Sequence, residues 1–449
     1  MTHGLGVRRL GCPNVAWFVL LALVAAPAGA LAQAGVSSSQ LAPLENALTP
    51  KPLEPQGQLA QPDLSPGEQV LFGIHRGAAL LLSPLLEFGV RKGLVGGGGD
   101  KVEGLKIKPG PLGSKSGGAL TLGYAVYPAP VWAGVSAGFS IKGYMDDSAF
   151  IGVRDPRGTN YLRFTGTYDL DTRDEFSGLG MDSPEGDETD YRQEEIRFMG
   201  DAQVTVGETF RIGARGGYHK NNMLEGKNDD IDDTEDVFGD SLVDGLPIPG
   251  LPQTTDKFSQ FGGFLALDTR DIVGNPSWGV LLAGSFDAFR GIDETPFDWD
   301  RWSGEFEGYL PLPDERRVIA VRAWVVHQDP QEGQALVPFY FLQSLGGGSV
   351  LRSFTGMRFQ DNDLLYGALE FRRRVWTAKE GKVALDGDFF VETGGVYRDI
   401  TDEVSLGDME QSFGTELRVV VPDDVMGRLG VAVGSSEGVK VYLGGGGRF

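Results

Sequence analysis

Apolar and polar residues alternate along much of this chain. Leu365, Gly367, Leu369 and Phe371 fall on one side of an extended backbone, and Tyr366, Ala368, Glu370 and Arg372 fall on the other. That is the period of a β-strand with one apolar and one polar face. The next stretch repeats it, with Val383, Leu385, Gly387, Phe389 and Val391 against Ala384, Asp386, Asp388, Phe390 and Glu392. Phe413, Thr415, Leu417, Val419 and Val421 against Gly414, Glu416 and Arg418 give a third case. Alternation alone suits a two-sheet sandwich as well as a membrane barrel.

The connections separate the two. Long acidic ones lie at 171–190, 221–255, 291–299, 328–363 and 394–410, and short ones near Gly207 and at 269–277, 311–315, 377–381 and 422–425. Long loops at one end and tight turns at the other belong to transmembrane barrels, and a sandwich has no reason to show them. About fourteen candidate strands follow Gly117, and two more fit between Ala78 and Lys108, so the pattern predicts an all-β, antiparallel transmembrane barrel of about 16 strands. An even count puts both ends of the barrel on one side, the periplasmic side of an outer membrane. The last strand ends Val439-Lys440-Val441-Tyr442-Leu443, Gly444 to Gly447, Arg448 and Phe449, similar to the terminal aromatic signal of outer-membrane barrels.

The amino end reads differently. Arg8 and Arg9 precede an apolar run from Val15 to Ala26 and an Ala30-Leu31-Ala32 cleavage pattern, which predicts a secretory signal peptide over 1–32. Residues 33–70, with Pro43, Pro50, Pro52, Pro55, Pro62 and Pro66, read as a Pro/Gln-rich periplasmic linker, with room for a short helix around Leu41 to Leu48. The barrel is expected over 71–449.

Composition narrows the chemistry. With 62 acidic against 40 basic residues and a net charge of −22, the chain offers no basic face for nucleic acid, and the acidity belongs to solvated loops. The one cysteine, Cys12, lies in the signal segment, so thiol chemistry is not expected. His3, His75, His219 and His327 are scattered, no serine sits in Gly-x-Ser-x-Gly, and the glycine runs lack the Lys-Ser/Thr of a phosphate loop. The acidic run from Asp229 to Asp236 lacks the glycine and spacing of a calcium loop. No enzyme activity, metal or cofactor is expected.

Three local motifs stand out. The first is Asp268, Arg270 and Asp271, followed by Asn275, Pro276 and Gly279. The second is Pro338-Phe339-Tyr340-Phe341, then Gly346, Gly347 and Gly348 before a tip of Leu351, Arg352, Ser353 and Phe354. The third is Phe389-Phe390-Val391-Glu392-Thr393-Gly394. In this order they resemble the BamA/TamA-type outer-membrane insertase and surface-antigen superfamily, over roughly Leu71 to Phe449. The resemblance implies a long sixth extracellular loop, joining strands eleven and twelve, that folds back into the barrel so that its tip arginine meets the carboxylate of the third motif. Carried over, Arg352 pairs with Glu392, which alternation independently places in the lumen with Asp386 and Asp388, where a guanidinium finds carboxylate partners. Ser353 stands where the family has glycine, and glycine reaches positive φ more cheaply than serine.

The resemblance also implies a function. Members assemble or translocate polypeptides at the outer membrane, so unfolded outer-membrane or secreted chains are expected partners, beside outer-membrane lipid and lipopolysaccharide. Lateral opening between first and last strands would serve that task, and Gly444 to Gly447 suit a loose seam as well as a close neighbour. The linker is too short for the family's periplasmic polypeptide-transport-associated repeats, so either a periplasmic partner supplies them or the chain is a passive pore or structural surface-antigen barrel with the loop as plug.

Overall fold

The computed structural model describes residues 64–445, except 92–103, 110–111, 113–115, 129, 185, 187, 229, 252–253, 313–316, 380 and 423. The signal peptide, the linker up to residue 63, the helix expected around Leu41 to Leu48, and Phe449 lie outside the described residues.

Sixteen strands form one sheet in which each pairs with its neighbours in chain order, without crossovers. They are β1 (Gly104–Pro109), β2 (Ala119–Val126), β3 (Val131–Ser140), β4 (Met145–Arg154), β5 (Tyr161–Phe176), β6 (Thr189–Val206), β7 (Phe210–Glu225), β8 (Thr255–Asp268), β9 (Gly279–Gly291), β10 (Trp299–Pro311), β11 (Arg317–Pro330), β12 (Asp363–Thr377), β13 (Ala384–Tyr397), β14 (Glu410–Val421), β15 (Asp424–Gly434) and β16 (Val439–Gly445). All pairings are antiparallel. The chain folds as a transmembrane β-barrel, with Phe164, Phe198, Phe261, Leu265, Leu369, Phe413 and Leu429 exposed on the outer wall and ion pairs such as Arg163–Asp201 and Arg215–Asp287 inside. Strand length varies around the wall. A tilted strand crosses a bilayer with ~9–11 residues, so β3 and β4, with 10 each, are just long enough. Strands β5 to β7, with 16, 18 and 16, project past it at the loop end.

One expectation is corrected. Alternation predicts two strands between Ala78 and Lys108, but the stretch from Ala78 to Arg91 is helical, and among the described residues only β1, Gly104–Pro109, forms a strand there. Helix α1 (Pro66–Leu71) opens with a capping box in which Ser65 and Glu68 satisfy each other's amides, and α2 (Gly73–Arg91) follows. The signal was legible: Ser65-Pro66-Gly67-Glu68 is a capping pattern with proline at the first helical position. The Ala/Leu-rich run behind it favours helix and has no period of two. The total of sixteen stands because fifteen strands, not fourteen, follow Gly117.

Both helices pack on the outside of the barrel. Phe72 and Ala79 bury against Leu385, Leu417 and Val375, with Phe371 and Phe389 around them. Val90 closes the far end against Ala378, Val383 and Val421. Those wall residues are on the apolar face of β12, β13 and β14. Glu68 pairs with Arg317 at 2.7 Å and with the fully buried Arg373 at 2.9 Å.

Candidate functional site

The connection between β11 and β12, residues 331–362, is the sixth at the loop end, and it turns back into the lumen. Its descent begins with a 3-10 turn, Phe339–Phe341. Phe339 packs on Phe176 and Tyr191, and Phe341 on Phe258, Phe289 and Trp299. Gln343–Leu345 then pairs with Phe359–Asp361 as a small antiparallel ribbon, and the segment between them is the tip. Positive φ occurs at Gly346, Gly347, Leu351 and Met357, and a Cβ on Gly346 would lie 2.0 Å from the Thr355 carbonyl oxygen. Ser353, which stands where the family has glycine, does not adopt positive φ; Leu351 does, at 46°. Ser353 is fully buried, and its amide donates to Ser412 Oγ at 3.1 Å.

Arg352 is 3% exposed and surrounded by acid. Its backbone amide donates to Glu392 Oε2 at 2.8 Å and its Nε to Glu392 Oε1 at 2.9 Å. Nη2 donates to Glu370 at 2.5 Å, and Nη1 reaches Glu416 at 3.4 Å. The guanidinium carbon sits 3.7 Å from the centre of the Phe390 ring. Tyr366 donates to Glu392 at 2.6 Å and Tyr442 to Glu416 at 2.8 Å, using the remaining carboxylate capacity. Burial alone disfavours the charged guanidinium, but Glu392, Glu370 and Glu416 outweigh it and hold the Arg352 pKa well above its usual value. Arg352 therefore stays cationic.

Of the three lumen carboxylates expected around Arg352, the structure brings one to it. Asp388 pairs with Arg418 at 3.3 Å, and Asp386 with Arg374 at 2.8 Å. The other two partners, Glu370 and Glu416, lie on the inner face that alternation predicts, staggered from Glu392 and not level with it. Ala368 and Ser412 stand opposite Glu392, while Glu370 is opposite Phe390 and Glu416 opposite Asp388, and Arg352 spans the stagger to one carboxylate on each of β12, β13 and β14. Arg372 and Arg428 complete the cluster through Glu370 at 2.9 Å and Glu416 at 3.7 Å.

The first motif builds a turn joined to this cluster. Arg270 grips Asp268 through two bonds of 3.0 Å and reaches Glu307 at 2.9 Å. Tyr309 donates to the same Glu307, and Arg372 stacks over the Tyr309 ring at 5.4 Å. A chain of contacts thus runs from Arg352 through Glu370, Arg372, Tyr309 and Glu307 to Arg270. Asp271 organises the turn by accepting from the amides of Ser277 and Trp278 at 2.9 and 3.2 Å. Pro276 lies within this turn, and Asn275 beside it accepts from Arg418 at 3.1 Å.

Further contacts hold the loop from above. Glu437, on the connection between β15 and β16, accepts from the Thr355 amide at 2.9 Å and pairs with Arg358 at 3.0 Å and Lys440 at 2.7 Å. Arg358 also donates to Ser183 on the third loop, and the Gly180 amide to the Gln360 carbonyl. Within the acidic run, Asp233 caps a short helix, Thr234–Phe238. His327, Asp363 and Asp399 come within 4.8 Å of one another, and hydrogen bonds from His327, Gln328 and Ile400 engage Asp363.

A family model described as the Omp85 superfamily domain matches residues 134–436. No curated protein matches the chain. Among solved structures, BamA from Haemophilus ducreyi lacking POTRA domains 1–3 is similar with a TM-score of 0.55 at 15% identity, over 76% of this chain and 69% of that one. CdiB from Escherichia coli gives 0.48 at 13% identity, over 76% and 67%. The matched span covers β4 to β15 whole, with the loop tip, its carboxylates and the turn motif inside it, and the chain belongs to the Omp85 superfamily.

Proposed function

We propose that this outer-membrane barrel inserts or translocates polypeptides, with its turn end, and so both ends of the barrel, on the periplasmic side. The observation that carries this reading is the seat of the sixth loop. Its tip is fixed by one arginine to three carboxylates on adjacent strands and so occupies the lumen against β12 to β14. A loop fastened in the channel by a buried ionic cluster narrows it and argues against an open pore. A barrel that works through its wall can keep its lumen filled. The first and last strands of the sheet, β1 and β16, bound the seam at which client strands would be templated by edge pairing.

The test is reconstitution of the refolded barrel in lipid vesicles with an unfolded outer-membrane barrel as client, alongside planar-bilayer conductance. Client folding faster than in empty vesicles supports the reading. Stable ion-selective conductance without acceleration replaces it with a pore.

A further inference from the structure

Helix α2 presents three stripes rather than two. At 3.6 residues per turn, His75, Ala79, Leu82, Leu86 and Val90 share one side, and this side meets the barrel: His75, Ala79 and Val90 are buried. His75 is held there by a 2.6 Å hydrogen bond with Thr415, over Gly387, where a Cβ would come within 2.7 Å of the imidazole. Ile74, Leu81, Leu85 and Phe88 form a second stripe facing away from the barrel, with exposures of 84, 83, 67 and 51%. Between the two on one flank run Arg76, Ser83, Glu87 and Arg91, with the exposed Leu80 among them. A helix on a water-facing surface has no use for the second stripe.

The wall beneath it fixes what lies outside. Phe371, Phe389, Leu417 and Val419, which pack under the helix, continue the apolar outer band that includes Leu369, Val391 and Phe413. The helix spans that band obliquely. In its first turn His75 touches Phe389 and Thr415 in mid-strand, and its last turn packs with Ala378, Val383 and Val421 at the turn end.

We infer that α2 is a lipid-seated helix: its outward stripe takes the acyl chains of the membrane leaflet at the turn end, and its Glu87-to-Arg91 end reaches the headgroups. Apolar residues in the acyl region with charges kept at the headgroups is the division that seats amphipathic helices in a membrane surface. The occupant of the outward stripe is thus lipid, not a second copy of the chain or another polypeptide.

The experiment uses the full chain with Cys12→Ser, reconstituted in phospholipid vesicles and labelled with one fluorophore at a time. Leu81→Cys and Leu85→Cys report the outward stripe, Leu369→Cys bare wall in lipid, and Glu332→Cys water at the loop end. Nitroxides on acyl chains are expected to quench positions 81 and 85 within twofold of position 369, with aqueous iodide ineffective. Iodide quenching at 81 and 85 equal to that at 332 would overturn the inference, and so would protection from both quenchers, which means a protein cover. Cysteines at Val90 and Val421, bridged by a short bifunctional reagent, are expected to cross-link, and failure to do so overturns the docked seat. Heat-modifiability on gels verifies that each labelled barrel is folded.

Discussion

The backbone amide of Arg352 and its side-chain Nε both donate to Glu392, one to each carboxylate oxygen. The contact therefore fixes the loop's backbone as well as its charge. Around it, Arg352, Arg372, Arg418 and Arg428 face Glu370, Glu392, Glu416 and Asp388, four charges against four. A balanced buried cluster tolerates the removal of one member badly.

Arg352→Met leaves one carboxylate charge in excess, and breaking a buried pair in this way costs ~3–5 kcal/mol. We expect a lower urea midpoint and a lower temperature for the gel-mobility shift, with Arg352→Glu worse. Combining Arg352→Met with Glu392→Gln should recover part of the loss, since the excess charge goes with it. An Arg352→Glu barrel with unchanged midpoint and gel shift would show that the pair does not hold the loop.

The tip's backbone demand falls on Leu351, not Ser353. Ser353→Gly should shift stability by less than ~1 kcal/mol, because no strained φ is relieved there. Leu351→Gly frees a left-handed φ worth ~1–2 kcal/mol but deletes a fully buried side chain packed among Phe354, Phe359 and Tyr366, a loss of ~2–5 kcal/mol. Equilibrium unfolding should rank wild type near Ser353→Gly and both above Leu351→Gly. The opposite ranking would return the glycine role to position 353.

Alternation made the wall legible, because an inward residue stays inward whatever the register. It placed Glu370, Glu392 and Glu416 on one face, yet the choice among five inward carboxylates depended on how neighbouring strands slide, which a single strand does not encode. The bulge between Arg374 and Trp376 further shifts the turn-end half of β12. The outer helix is hidden from the wall for a different reason. A strand wall that faces lipid is apolar whether or not a helix covers it, so nothing in β12 to β14 announces the cover; its signals are the Ser65–Glu68 capping box and the Ala/Leu-rich run that follows it.

Gly279→Ala should damage assembly although it adds one methyl group. Its φ is +105°, and a Cβ would sit 2.3 Å from the Thr269 carbonyl oxygen, which is backbone and has no room to yield. Since Asp271 and Asn275 in the same turn connect to Trp278 and Arg418, the strain should reach the lumen. The yield of heat-modifiable barrel after refolding is expected to fall severalfold. A normal yield would mean that the turn relaxes outward without disturbing β8 and β9.

Glu437 gives the loop anchor a pH limit. Burial opposes its charged form, but hydrogen bonds from Lys440 and Thr355 prevail, and the folded carboxyl lies below its ordinary value. Its contribution is thus fully present above the unfolded value of ~4.3 and is lost as pH falls through the lower folded one. The midpoint difference between wild type and Glu437→Gln should be largest near neutrality and shrink below pH ~4. A difference that stays constant to pH ~3 would assign the effect to shape and not to charge.

Gly387→Ala tests whether the outer helix matters to the loop inside. The added methyl faces His75, with 2.7 Å to its ring, so the helix must lift or the imidazole must leave Thr415. Strand β13 carries Gly387 on its outer face and Glu392 on its inner face, five residues apart. Lifting the helix also withdraws Glu68 from Arg317 and Arg373, leaving Arg373, wholly buried under it, facing lipid, where an arginine costs ~2–4 kcal/mol near mid-membrane and less toward the interface. If the helix braces the wall behind the carboxylates, Gly387→Ala should lower the unfolding midpoint and also raise the mobility of a spin label at Thr355, on the loop tip. His75→Ala in the same background makes room for the methyl group and should restore both. A change in midpoint with an unaltered label would confine the helix to the outer surface.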